Sequence, residues 1–238
     1  MTTFVAEFTS PLGIARTNAG RQPDPQPRPA FSIPMNVTPT MMGSSTRIGG
    51  QAGRAYMPAS PPGVIGAAVI RAARHSAGLP RRRLAQMLSV SHGTALAWED
   101  GTTPLFSVPY DQLRALADAL TYAGARVGWE LDELLIASQC DLLVTGMLHG
   151  FEDYAEVPPL EGESAEAWAA RGLLRWALIG TVPARYRPHA SSTPLLAASD
   201  VNHFATVVQN LQAGLMGGEL TGFGQALAGL ITPVTHVR

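Results

Sequence analysis

From Arg81 to Gly101 the chain reads RRRLAQMLSVSHGTALAWEDG, and this stretch constrains the fold more than any other. Leu84, Ala85 and Leu88 share one helical face, Ser89-Val90-Ser91 interrupts the pattern, and Ala95 and Trp98 resume it. Ser91 stands where a helix N-cap is wanted, because its hydroxyl can accept an unsatisfied amide of the next turn. The spacing therefore predicts two short helices joined by a tight turn. Helices that cross closely need a small residue at the contact, and Ala85 supplies it. Leu84, Leu88, Val90, Ala95 and Trp98 then close a compact core.

The same period extends to both sides. Pro61, Pro62 and Gly63 end an irregular leader, after which Ile65, Val69, Ala72 and Ala73 recur as far as Ala77, and Gly78 stops that helix. Pro80 sits where proline is tolerated, at the first turn of the next helix. Gly101 and Pro104 break the chain, and a fourth helix is expected over about 110–122 with Leu113, Leu116, Ala117 and Leu120 inward. Further on, Trp129, Leu131, Leu134, Leu135 and Ile136 suit one helix. Leu142, Leu143, Met147, Leu148 and Phe151 suit another or its continuation. Glu130, Asp132 and Glu133 read as a solvated helix start. Ser164 caps a helix with Trp168, Gly172, Leu173 and Trp176 on one face, and Ser199 opens a last one with Val201, Phe204, Val208, Leu211 and Leu215 inward. No alternating strand pattern competes.

The expectation is an all-α fold, with a compact bundle of about five helices followed by additional helices. It divides into a flexible Pro/Gly-rich arm at 1–63, the bundle at 64–138, a helical C-terminal region at 139–216 and a loosely ordered tail at 217–238. Ten of the nineteen prolines fall in 1–63, including the run PDPQPRP, so that stretch builds neither a helix nor a central strand and is expected to be disordered.

Charge is uneven along the chain. All 17 basic residues are arginine. Five of them face two acids in 1–63, six face four acids in 64–122, and six face twelve acids in 123–238. A basic front and an acidic rear suit a polyanionic partner at the front, and equally suit two solvated modules. Cys140 is the single cysteine, which excludes an intrachain disulfide framework and fits a reducing cytoplasm. No apolar run reaches the ~18–20 residues of a membrane span, so no membrane partner is expected. The six histidines show no paired ligand spacing, and neither a glycine-rich phosphate loop nor a nucleophile elbow occurs. The chain is expected to use no metal and no cofactor, and not to be an enzyme.

The series IRAARHSAGLPRRRLAQMLSVSHGTALAWEDGTTP, followed by LRALADAL, resembles the Xre-type helix-turn-helix family, which includes the lambdoid phage repressors. GL at 78–79, LA at 84–85, VS at 90–91, WE at 98–99, Gly101 and Pro104 stand in that family's order and spacing. The segment RGLLRWALIGTVPARYRP also resembles the rear part of actinobacterial regulators of the family. The resemblance implies that Glu99 turns back to the first helix and pairs with Arg74, as a buried bridge or as an exposed pair. It implies phosphate contacts from Arg81 and from Thr94, and base-edge positions at His92, Gly93 and Ala97, just after the Ser91 cap. Arg82, Thr102 and Thr103, together with Arg71, are further candidates for the DNA backbone. Gly93 and Ala97 depart from the family by offering base edges neither donor nor acceptor, and Asp100 departs by placing a negative charge near phosphates.

Two readings follow. One is a DNA-binding transcriptional regulator acting on double-stranded DNA as a homodimer, its rear helices serving dimerisation or a partner. The other is an interaction adaptor or antitoxin-like protein that keeps the fold and binds an unidentified protein partner. With a dimerising rear, a cut after about Ile136 is expected to leave a folded monomer.

Overall fold

The computed structural model describes residues 56–128, 130–149, 160, 164–213 and 227–230. Every regular element among the described residues is helical: α1 Val64–Ser76, α2 Arg81–Met87, α3 His92–Asp100, α4 Tyr110–Tyr122, α5 Leu131–His149, α6 Ala165–Ile179 and α7 Ala198–Gln212. Short 3-10 turns at Leu105–Ser107 and Arg187–His189 complete the order. The protein is all-α. The expected disordered arm up to residue 55 and most of the tail lie outside the described residues.

Local chemistry sets the helix ends. Three helices close with the same motif, in which the amide two beyond the C-cap reaches back to a carbonyl of the last turn. Leu79 N–H donates to Arg74 O, Val90 N–H to Ala85 O and Ala125 N–H to Leu120 O, each at 3.0 Å. Gly78 and Gly124 supply the left-handed residue in two of them, with φ of 61° and 80°, and Ser89 does so in the third at φ 54°. Ser91 and Ser164 cap α3 and α6 by accepting the amides of Thr94 and Ala167.

α1 is wrapped on all sides. Besides the expected Ile65, Val69, Ala72 and Ala73, it buries Ala67, Ala68 and Ile70. α3 packs on one part of its surface, and α5 and α6 on others. α5 is one unbroken helix of 19 residues whose buried positions run from Glu133 to Leu148, so the residue 138/139 boundary falls inside it. A single hydrophobic core joins Leu84 and Trp98 to Leu134, Met147, Leu173, Trp176, Phe204 and Leu211. Leu227 and Leu230, from a short helical turn of the tail, are buried in it as well.

Two expectations about the rear helices are corrected here. Trp168 does not share the inward face of α6 and is 65% exposed, whereas Leu173 and Trp176 are buried. The buried arc is centred on Ala170, Leu173, Leu174 and Ala177, and at about 100° per residue Trp168 falls on the opposite side. Glu133 is not a solvated residue but a buried one. Its Oε1 accepts from Tyr186 Oη and, at 2.8 Å, from Arg185 Nη2, while its Oε2 accepts the Gly128 amide at 2.9 Å.

Candidate nucleic-acid interface

The α2–turn–α3 unit takes the form its spacing predicts. Leu84, Ala85, Ala95 and Trp98 are buried, and Leu88 and Val90 pack against the core from its edge. The α3 C-cap, Gly101, adopts φ 78° and lies so close to Gly63 that a Cβ there would sit 2.8 Å from the Gly63 carbonyl. Gly63 N–H donates to Gly101 O at 2.9 Å, which ties the end of α3 to the start of α1.

Arginines hold α3 from the other side. The Glu99 side chain is fully buried and meets two guanidinium groups, with side-chain exposures of 12% for Arg74 and 34% for Arg81. Arg74 Nε donates to Oε1 at 2.7 Å and its Nη2 to Oε2 at 3.1 Å, a forked pairing, while Nη1 donates to Leu79 O at 2.9 Å. Arg81 Nε donates to Oε2 at 2.9 Å. Arg71 Nη1 donates to the Glu99 backbone carbonyl, and burial pulls the Arg71 guanidinium below its ordinary pKa against the opposing pull of Glu99 and Asp100.

Other candidate residues divide into engaged and open groups. Thr103 N–H donates to Ala97 O at 3.0 Å, and the Thr102 hydroxyl donates to the same carbonyl at 3.3 Å. One donor of each residue is thus engaged at the end of α3, while Thr102 stays exposed. Ser91 Oγ is occupied by the Thr94 amide and lies 2.8 Å from Thr94 Oγ1. Arg82, Arg83, His92 and Gly93 are exposed and Ala97 is half-buried. A Cβ added at Gly93 would meet only Ser91 Oγ, at 3.6 Å, so packing does not demand glycine there. Leu96, absent from the sequence reading, is 36% exposed on the same helix. The outward surface of α3 is therefore short and mixed, with exposed His92, Gly93, Leu96 and Asp100, the last placing a negative charge beside the face, and exposed Arg82 and Arg83 stand on α2.

Two buried carboxylates escaped the sequence reading because their partners lie far along the chain. Asp141 of α5 accepts the Ile65 and Gly66 amides at 2.8 Å each, capping α1 across 75 residues or more. Burial pushes its carboxyl up to about 7, with the two amide hydrogen bonds pulling the other way. Asp200 of α7 accepts Tyr56 Oη at 2.6 Å and the Ala59 and Ser60 amides at 3.0 and 2.7 Å, while Tyr56 stacks on His203. The last residues of the expected arm are thereby pinned to α7.

Among the described residues no group of three or more His, Cys, Asp or Glu side chains could hold a metal ion, and no helix is long and apolar enough to cross a membrane. Cys140 is buried, and burial pushes its thiol well above the usual range, away from the reactive thiolate. Compared with known proteins, the chain matches no family model, no curated protein and no solved structure.

Proposed function

We propose that the protein is a DNA-binding transcriptional regulator that lays α3 along the major groove of duplex DNA. One observation carries the reading: the α2–turn–α3 unit is locked by its core and by Glu99, yet the outer face of α3 is left uncovered beside exposed Arg82 and Arg83. A rigid helix on an arginine-bearing edge suits a groove about 12 Å wide lined by phosphates. Phosphate contacts supply most of the affinity, and direct base reading falls on His92. Two copies acting as a dimer would place their α3 helices about one helical turn of DNA apart.

A second reading, an adaptor that binds another protein, draws on the exposed apolar side chains Leu96, Phe106 and Tyr110 of the front. Binding of the full chain to a random-sequence duplex library across a salt series separates the two. The regulator reading expects affinity to fall steeply with salt, by a log–log slope near −0.9 per phosphate neutralised. Arg82→Ala should flatten that slope by about one unit. Folded protein that binds no duplex at low salt would leave the adaptor reading standing.

A further inference from the structure

The charges around Glu99 do not balance. Arg74 grips both carboxylate oxygens with its fork, Arg81 is brought to the same Oε2, and Arg71 to the carbonyl of the same residue. Three guanidinium groups thus gather around Glu99, two of them on its carboxylate, with exposed Asp100 the one further acid acting on Arg71, so one positive charge remains in excess. Among the described residues the ion pairs here are Arg74–Glu99 and Arg81–Glu99, and neither Nη of Arg81 has a hydrogen-bond partner. Arg81 is therefore anchored at one edge of its guanidinium, while its side chain stays one-third exposed at the start of α2. A surplus of fixed positive charge with unused planar donors calls for an anion with several acceptor oxygens.

We propose that Glu99 is a positioning residue for a phosphate contact, holding Arg81 by Nε so that its Nη groups meet a backbone phosphodiester of DNA. This inference rests on the DNA-binding reading and sharpens it. A free arginine surrenders rotamer freedom when it grips a phosphate. Arg81 surrenders that freedom on folding, through its bond to Glu99, so less is lost on binding. Lysine cannot substitute, since one ammonium lacks a second edge to offer once it pairs with Glu99. Arg74 does not compete for the role, because its three nitrogens are all engaged inside the fold.

The test uses the full chain, a random-sequence DNA duplex and a salt series, with each variant's folding checked by its thermal melt. Arg81→Ala should flatten the salt slope by about one unit. Arg81→Lys should keep the slope but weaken binding by roughly 2- to 12-fold, the range expected for immobilising one long side chain. Glu99→Gln should weaken binding in the wild-type background and have no further effect on binding in an Arg81→Ala background. If Glu99→Gln does not fold, the comparison of Arg81→Lys with Arg81→Ala decides alone. An Arg81→Ala variant that melts lower but keeps the wild-type slope would assign Arg81 to the fold only and overturn the inference. An Arg81→Lys variant that binds as tightly as wild type would overturn the positioning role of Glu99 while leaving the DNA reading intact. Folded wild type that ignores duplex at low salt would remove the DNA reading and this inference with it.

Discussion

The front of the molecule, α1 to α4, and the rear, α5 to α7, handle apolar surface in opposite ways. Apart from Trp168, the rear buries its large apolar side chains in the chain's own core: Met147, Leu173, Trp176, Phe204, Val208 and Leu211 are all inaccessible or nearly so. The front leaves the outer face of α3 in water, with Leu96 exposed, and secures the helix from behind through Trp98 and Glu99. α1 and α4 bury clear apolar stripes and α5 is buried on nearly every side, whereas α3 buries only Ala95, Trp98 and Glu99. Front and rear share one core, because α1 packs on α3 as well as on α5 and α6.

The severest way to break this comparison is to remove the rear beyond the first turns of α5, with all of α6 and α7. A cut after Ile136 was expected to release a folded front. It would delete the Asp141 cap of α1 and the buried Cys140, Leu143, Val144, Met147 and Leu148. The loss should exceed the ~5–15 kcal/mol that a whole domain possesses, so the fragment should show no cooperative thermal transition by circular dichroism. A cooperative melt of residues 1–136 would restore a self-standing front.

Within the front, Glu99→Ala should be next in size. It strands Arg74 and Arg81 without their carboxylate, and breaking a buried pair costs about 3–5 kcal/mol. Denaturant unfolding would report it. A change under ~1 kcal/mol would mean that water already screens the pair.

The joint between front and rear should carry a pH signature through Asp141. Its carboxyl is raised from 3.8 to about 7 by burial, so the folded chain holds this proton more tightly than the unfolded one. Its contribution to stability is full below pH 3.8, declines as pH rises, and is lost once pH passes about 7. Relative to Asp141→Asn, wild type should therefore lose stability between pH 5 and pH 7.5, by at most about 2.5 kcal/mol. Asp200 works in the reverse sense. Burial pushes it up, but hydrogen bonds from Ser60, Tyr56 and Ala59 outweigh that and hold it below its ordinary value. Its stabilisation is present above pH 3.8 and is lost as pH falls through the lowered folded value. A wild-type minus Asp141→Asn difference that does not change with pH would deny Asp141 this role.

The smallest effect belongs to the exposed rear aromatic. Trp168→Ala should change stability by no more than about 0.5 kcal/mol, although Trp168 stands two turns from the buried Trp176 on the same helix. A loss of several kcal/mol would show Trp168 to be covered in solution.

What the sequence disclosed depended on the range of each interaction. Ser91, Ser164, Gly78 and Gly101 act on their own helix ends, and Trp98 keeps the helical period, so these were legible. Glu99 and its partner Arg74 were legible only through a family resemblance. Asp141, Asp200 and the Glu133–Tyr186 pair were not, because each meets partners more than 50 residues away and a period of 3.6 carries no such information. Ser89, left-handed where a glycine would be unstrained, was visible only as part of a turn. The candidate face fell between these cases: its helix was legible, whereas the engagement of Arg81 Nε by Glu99, and of the Thr102 hydroxyl and Thr103 amide by Ala97 O, was not.

Amide hydrogen exchange of the full chain, with and without duplex DNA at low salt, tests the central claim most directly. Slowed exchange confined to the α2–turn–α3 segment, residues 81–97, with α6 and α7 unchanged, is the expected result. Slowed exchange on α6 or α7 while residues 81–97 exchange as before would contradict the division into a front that works and a rear that supports it.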